Sequence, residues 1–216
     1  MDEKTEKLTW QWQLEKYVWS LTFAGCCYFL YTWIGEFTAA RQTAFYLEID
    51  NWVPFWPWTV WCYLPFYVLI FHVSTFSIRK REIYFRTLGS IAIGMVICCA
   101  FFLSVPSSYP RPDLPDGTHY WHVSFLQWVR QIDVANNTFP SSHVALSFAC
   151  ALSTFRDNKR SGLVTIGMAL CLAVSILTTK QHYVVDSFGG LLVGYIAYRI
   201  AFWNKPHAAP ARVVNA

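Results

Sequence analysis

The chain has 216 residues, 55% of them hydrophobic, 19% aromatic and only 14% charged, with a mean hydropathy of +0.29. That balance excludes an ordinary soluble domain and suits a protein with many residues at lipid–water boundaries. A net charge of +4 is too small to argue for nucleic acid, so no nucleic-acid partner is expected.

Residues 1–16 are charged and too polar for a cleavable signal. They read as a cytoplasmic lead-in touching the interface through Leu8, Trp10, Trp12 and Leu14. Six apolar segments follow, at residues 17–36, 54–77, 87–105, 139–155, 162–179 and 183–203. Set against the roughly 20 residues that a helix needs to cross a bilayer, they predict an all-α, polytopic six-transmembrane-helix bundle over 17–203, with a short fourth span. Residues 37–53 read as an interfacial piece, and the Pro- and Ala-rich tail, 204–216, as disordered. Cys26, Cys27, Cys62, Cys98, Cys99, Cys150 and Cys171 all fall inside apolar runs, as small core residues do, rather than in a disulfide or zinc framework.

Orientation follows from the basic residues. With the N-terminus inside, Lys4, Lys7, Lys16, Arg79, Lys80, Arg81, Arg86, Arg156, Lys159, Arg160, Arg199, Lys205 and Arg212 are cytoplasmic. Only Arg41, Arg111, Arg130 and Lys180 are outside, a strong positive-inside split that leaves both termini inside. The loop 106–138 and the starts of the fourth and sixth segments then meet at one outer face. In that loop Pro110 and Pro112 stiffen the backbone around Arg111. Further on, Trp121, Phe125, Trp128 and Ile132 recur at helical spacing, with His122, Gln127, Arg130 and Gln131 on other faces. The pattern predicts a short amphipathic helix in the interface, packed over the bundle.

Chemistry concentrates at two places on that face. Asn137-Thr138-Phe139-Pro140-Ser141-Ser142-His143 has the cap residues and proline of a helix start, whose free N–H groups can hold an anion beside His143. His182 and Asp186, four apart, read as one helix face at the membrane surface. Alone, each has a structural reading: a plain cap, and a His–Asp tie between helices. Together with Arg111 they form a phosphate-handling constellation. One histidine can attack phosphorus, the other can protonate the leaving oxygen, and the carboxylate can orient the attacking imidazole. No carboxylate cluster offers a divalent metal a home, so metal-independent phosphoryl transfer without a cofactor is expected.

These motifs resemble the signature of the phosphatidic acid phosphatase type 2 superfamily, Lys-x6-Arg-Pro, Pro-Ser-Gly-His and Ser-Arg-x5-His-x3-Asp. Arg111-Pro112 matches the end of the first part, Pro140-Ser141-Ser142-His143 the second, and His182 with Asp186 the third. The resemblance implies a six-helix bundle with His182 as the nucleophile, Asp186 its partner, His143 the general acid and Arg111 a phosphate clamp. Three positions depart from it: Ser104 stands where the lysine would be, Ser142 replaces the glycine, and Ile176 stands in place of the arginine. Lys180 is the expected substitute cation, with Ser141 and Ser142 also holding phosphoryl oxygens. Residues 178–183 look closer to the branch near inositol phosphorylceramide synthases, whose acceptor can be an alcohol.

The activity so implied is hydrolysis of a lipid phosphate monoester or diphosphate through a phosphohistidine. A headgroup transferase and a non-catalytic lipid-phosphate carrier are the alternatives. The expected partner is a membrane phospholipid or other lipid phosphate. The expected location is a bacterial inner membrane with a periplasmic site, or else an ER or Golgi membrane with a lumenal one. His72 reads as a buried hydrogen-bonder, the pair His119 and His122 as no metal site, and Gly190 and Gly194 as points of close helix packing.

Overall fold

A computed structural model describes residues 10–114 and 120–203. The expectations for the tail and for His119 lie outside the described residues. Among those residues the structure is all-α. Its helices are α1 (Trp10–Thr38), α2 (Leu64–Ser77), α3 (Arg81–Ser104), α4 (Trp121–Ile132), α5 (Ser142–Asp157), α6 (Lys159–Thr178) and α7 (Val184–Ala201). Two 3-10 helices, Glu48–Trp52 and Pro57–Cys62, precede α2.

Four stretches, Pro57–Ser77, Arg81–Ser104, Lys159–Thr178 and Val184–Ala201, are long and apolar enough to cross a membrane, the pattern of a multi-pass membrane protein. Many of their outward residues are apolar as well, among them Leu163, Val174, Phe188 and Leu192, all exposed, as on helices that face lipid. Length and composition therefore support four of the six expected segments. α1 is long, at 29 residues, but Tyr, Trp and Thr dilute it, and α5, at 16 residues, is short of a span. α1 also extends earlier than expected: the first described residue, Trp10, is already helical, and Lys16 is buried, its ammonium bonded to the Thr75 and Ile78 carbonyls at the end of α2.

α5 is the centre of the bundle, packed against α2, α3, α6 and α7. Its buried positions are mostly small: Ser142, Ala145, Ser147, Ala149, Cys150, Ala151 and Ser153. α7 meets it through glycines. A Cβ on Gly190 would lie 2.6 Å from the Ser141 carbonyl oxygen, and one on Gly194 2.5 Å from that of Ala145. Backbone thus lies on backbone, and no rotamer change could make room. The main apolar core joins Ile34, Ile70, Met95, Phe102, Leu146 and Val193. All seven cysteines are free; Cys98, Cys99 and Cys150 are buried as expected, but Cys26 and Cys171 lie on the outward surface.

The two ends of the bundle differ. At one end Asp157 accepts from the Arg79 N–H at 2.5 Å and Arg86 reaches the Ala201 carbonyl at 2.7 Å. At the other, isolated bridges join Thr43 to Ser107 and Ser108 to Asn136, gathering residues 43, 107–108 and 136 at one place. α4 forms as expected, but with a different face inward: Val123, Leu126 and Val129 are buried, whereas Trp121, Trp128 and Ile132 are exposed. Aliphatic residues fit the tight contact with the bundle, and the tryptophans take the boundary position that suits amphipathic rings. His72 is exposed rather than buried, its Nδ1 2.9 Å from the Val68 carbonyl of its own helix.

The α5–α7 contact yields the first prediction. Gly194→Ala should destabilise the protein by about 1–3 kcal/mol, read as a lower unfolding midpoint in detergent. Gly167→Ala, where an added Cβ meets nothing within 4 Å, should be neutral or slightly stabilising. Equal midpoints for the two variants would contradict the packing argument.

Candidate active site

The turn between α6 and α7 delivers the first histidine. α6 ends with Lys180 in the left-handed region, φ 55°; the Gln181 N–H reaches the Ile176 carbonyl at 2.9 Å and the Lys180 N–H that of Leu177 at 3.1 Å. This is a Schellman ending with lysine where glycine is usual. The chain then runs through His182 into α7, whose first helical residue is Val184. His182 therefore precedes the helix, and the four-residue spacing to Asp186 works differently from two positions on one helical face. Asp186 reaches back instead: its Oδ2 accepts the Tyr183 N–H at 2.9 Å and lies 3.3 Å from Nδ1 of His182. One carboxylate thereby caps the helix and holds the imidazole. Asp50 completes the cap from a distant segment, its Oδ1 accepting the Val184 N–H at 2.8 Å.

His182 Nδ1 also lies 3.0 Å from the Thr138 carbonyl. Flanked by two acceptors, Nδ1 carries the proton, and the lone pair is on Nε2. Nε2 points at Ser141 Oγ, 3.4 Å away. His182 is 7% exposed and Asp186 fully buried, so water competes little for either.

Ser141 is the N-cap of α5, its Oγ accepting the Val144 N–H at 3.5 Å, and its own N–H donates to the Asp186 carbonyl at 3.0 Å. The residues before it are tied down by Ser107, whose Oγ accepts from Thr138 Oγ1 at 3.0 Å and from the Phe139 N–H at 2.7 Å. Ser142 and His143 occupy the first turn, whose N–H groups have no acceptor within the helix. The His143 ring stands edge-on to that of His182 at a centroid distance of 6.4 Å.

A cluster that the motifs did not announce surrounds His143. Tyr31, Tyr63 and Tyr67 stand edge-on to it, with centroids at 6.3, 5.3 and 4.9 Å. Tyr63 donates to Asp133 Oδ2 at 2.5 Å and Tyr31 to Oδ1 at 3.2 Å. With its hydrogen directed at Asp133, the Tyr63 oxygen is an acceptor toward His143 Nε2, 3.4 Å away. Arg111 completes the group, its Nη2 3.8 Å from Asp133 Oδ2. Burial works against the Asp133 charge, but His143, Arg111 and the Tyr63 hydroxyl outweigh it and hold the carboxyl below its ordinary range.

The structure thus brings together His182, Asp186, Ser141, His143 and Arg111, with Ser142 at the neighbouring helix start. It turns Lys180 elsewhere: the ammonium donates to the Val53 carbonyl at 2.6 Å and that of Asp50 at 3.3 Å, tying the first 3-10 helix to the α6–α7 turn. Asp133 had no local signature, since its partners come from α1, the Pro110–Pro112 loop and the segment before α2. Below the site, a cavity of about 550 Å³ runs from Asp133, Ser142 and His143 between α1, α2, α3 and α5 to Ser20, Thr75 and Tyr84. Its walls are mostly apolar, including Phe23, Phe71, Ile91 and Leu146.

Two neighbouring histidines, a His–carboxylate pair and a proline-flanked arginine thus lie together on apolar helices. The chain belongs to the PAP2 superfamily, whose family model matches residues 49–200, a stretch holding every site residue above except Tyr31. Among individual relatives, a stretch of 71 residues is 30% identical to the bacitracin transport permease protein BcrC of Bacillus licheniformis, covering 33% of this chain and 35% of that protein. Another of 60 residues is 38% identical to the uncharacterized protein MJ0662 of Methanocaldococcus jannaschii, covering 28% and 25%. The chain thus spans about a third and a quarter of these relatives' own lengths. No solved structure matches it. Similarity to BcrC takes the place of the expected kinship with the inositol phosphorylceramide synthase branch.

Asp133 gives a prediction about acid stability. A carboxyl held below its ordinary range stabilises the fold fully above that range, and the contribution is lost as pH falls through the depressed value. The unfolding midpoint of the unaltered protein should therefore fall with pH in the acidic range. In Asp133→Asn it should start lower at neutral pH and fall less steeply. Parallel curves would show that Asp133 carries no such load.

Proposed function

We propose that this protein is a membrane lipid phosphatase that hydrolyses a lipid phosphate monoester or diphosphate through a phosphohistidine. The observation that carries the reading is the pair of neighbouring histidines: Nε2 of His182 is directed toward Ser141 Oγ at 3.4 Å, and the His143 ring stands edge-on to the His182 ring with 6.4 Å between centroids. Phosphorus bound between them has a nucleophile on one side and a proton donor on the other.

In the first step Nε2 of His182 attacks phosphorus and the bond from phosphorus to the lipid oxygen breaks. His143 passes its proton to that oxygen, and the positive imidazole of His182 is balanced by Asp186. The Asp133–Tyr63 chain contacts Nε2 of His143 and holds that ring in place for this step. In the second step water attacks the phosphohistidine, His143 takes up its proton, and inorganic phosphate leaves with His182 restored. Arg111, Ser141 and the first turn of α5 hold the phosphoryl oxygens.

The apolar cavity supports a lipid substrate: it reaches the polar site at His143 and descends along α1 and α5, so a chain can lie there while its phosphate meets His182. Six spans with both termini inside, a bacterial inner membrane and a site on the periplasmic face complete the proposal. The division of basic residues between the bundle's ends supports it.

Labelling with a lipid substrate carrying radioactive phosphorus tests the reading. His182→Ala should lose turnover and trap no label. His143→Ala should slow turnover by roughly 10²–10⁴-fold, with label retained on His182 because the second step needs its base. A carrier would trap no label on either protein, and full turnover by His182→Ala would rule the mechanism out.

A further inference from the structure

The corner of the site around Arg111 holds a second arginine that the mechanism does not use. Arg130 lies near the end of α4, seven and four residues beyond Val123 and Leu126, and so on the same inward face as those buried side chains. The two arginines latch each other's segments: Arg111 Nη1 donates to the Arg130 carbonyl at 3.3 Å, and Arg130 Nη1 to the Pro112 carbonyl at 2.8 Å. Phe55 lies under the Arg130 guanidinium at 5.8 Å.

What remains on both side chains is the informative part. Among the described residues, Nε and Nη2 of Arg130 are buried and without a partner, and so is Nε of Arg111. Nε and Nη2 form one edge of the guanidinium, the two-pronged edge that grips carboxylate or phosphate. Asp133 offsets the Arg111 charge and Asp113 acts on that of Arg130, but the donors named above stay unsatisfied, which is costly unless a further anion joins them. Burial first, and then the charge of Arg111, bring the Arg130 guanidinium down to about 10. Neither position at which the family signature has its other cations supplies one. Ser104 is exposed and bonded to the Ala100 carbonyl, and Ile176 is packed with Val60, Tyr63 and Leu172.

We propose that Arg130 is a second phosphate-binding residue, its Nε–Nη2 edge acting with Nε of Arg111 on the oxygens of one phosphoryl group. It takes over the part played elsewhere by the cations absent at Ser104 and Ile176. The ligand class is a phosphate monoester dianion or the terminal phosphate of a diphosphate. That this anion belongs to a lipid substrate rests on the proposed function; the clamp itself does not require turnover.

The test uses the full chain in detergent, with inorganic phosphate and inorganic pyrophosphate as probes, in titration calorimetry and thermal unfolding. Binding is read on His182→Ala, where no phosphoryl transfer intrudes. On that background Arg130→Gln should weaken binding of both probes roughly tenfold or more, and Arg130→Lys should recover part of the loss. Without probe, Arg130→Gln should unfold at the same or a higher temperature, since an unsatisfied buried charge is gone; with probe, the stabilisation should shrink. The clamp is overturned if the parent binds neither probe or if Arg130→Gln binds within twofold of it. It is also overturned if that variant is less stable without probe yet keeps the whole probe-dependent shift. Should Arg130→Gln fail to fold, Arg130→Lys carries the test, because it keeps the charge and loses the fork; unchanged binding then sinks the proposal. In turnover of a lipid phosphate, Arg130→Gln should raise KM about tenfold. Unchanged kinetic constants in an active enzyme would remove the clamp alone. A protein that binds both probes through Arg130 but phosphorylates no histidine would remove the catalytic reading and leave the clamp.

Discussion

The site depends on one contact, the approach of α7 to the first two turns of α5. Gly190 and Gly194 let the helices meet backbone to backbone, and the Ser141 N–H then reaches the Asp186 carbonyl at 3.0 Å. That approach brings Nε2 of His182 to the cap of α5 and sets the distance between the histidine rings. A side chain at either glycine would push the helices apart by more than a hydrogen bond can stretch. The small residues along α5 serve the same end, since they allow its neighbours to close around it. A helix too short to be an obvious span is thereby the one on which the others are registered.

Around that frame, charge is arranged in two linked layers. The inner one pairs Asp186 with His182 and Asp133 with Arg111, so that each carboxylate touches one cationic or basic group while also doing a backbone or hydroxyl task. Asp186 caps α7, and Asp133 accepts hydrogen bonds from two tyrosines. Such double use is a way to keep ionised groups in an apolar bundle, because every lone pair engaged by a donor lowers the cost of burial. Neither layer is fully satisfied among the described residues: Asp186 Oδ1 lacks a donor, and Arg130 and Arg111 retain buried donors with no acceptor, which the proposed phosphate would satisfy.

Much of the polar core was legible in the chain because its members come as short local motifs. His182 with Asp186, Ser141 through His143, and Arg111 between prolines each carry their spacing with them, and helix caps and prolines work over a few residues. The supporting residues were not legible. Asp133, Tyr31 and Tyr63 stand 30 to 100 residues apart and acquire meaning only through contact. Lys180 shows the converse. Its place two residues before His182 suggested a phosphate ligand, yet a left-handed backbone at the end of α6 aims its side chain at the carbonyls of Asp50 and Val53. Adjacency in sequence says little about direction where the chain reverses hand.

The sequence by itself determined the class of molecule: apolar segments of spanning length, basic residues massed between some of them, and three motifs in the order of the PAP2 superfamily. These are properties of composition and local spacing, which survive without knowledge of packing. Tertiary structure alone decided which face of α4 turns inward, that His182 precedes its helix, and that Arg130 rather than Lys180 stands beside Arg111 with its donors unsatisfied. Each of those depends on how separate segments share the limited space around closely packed α5.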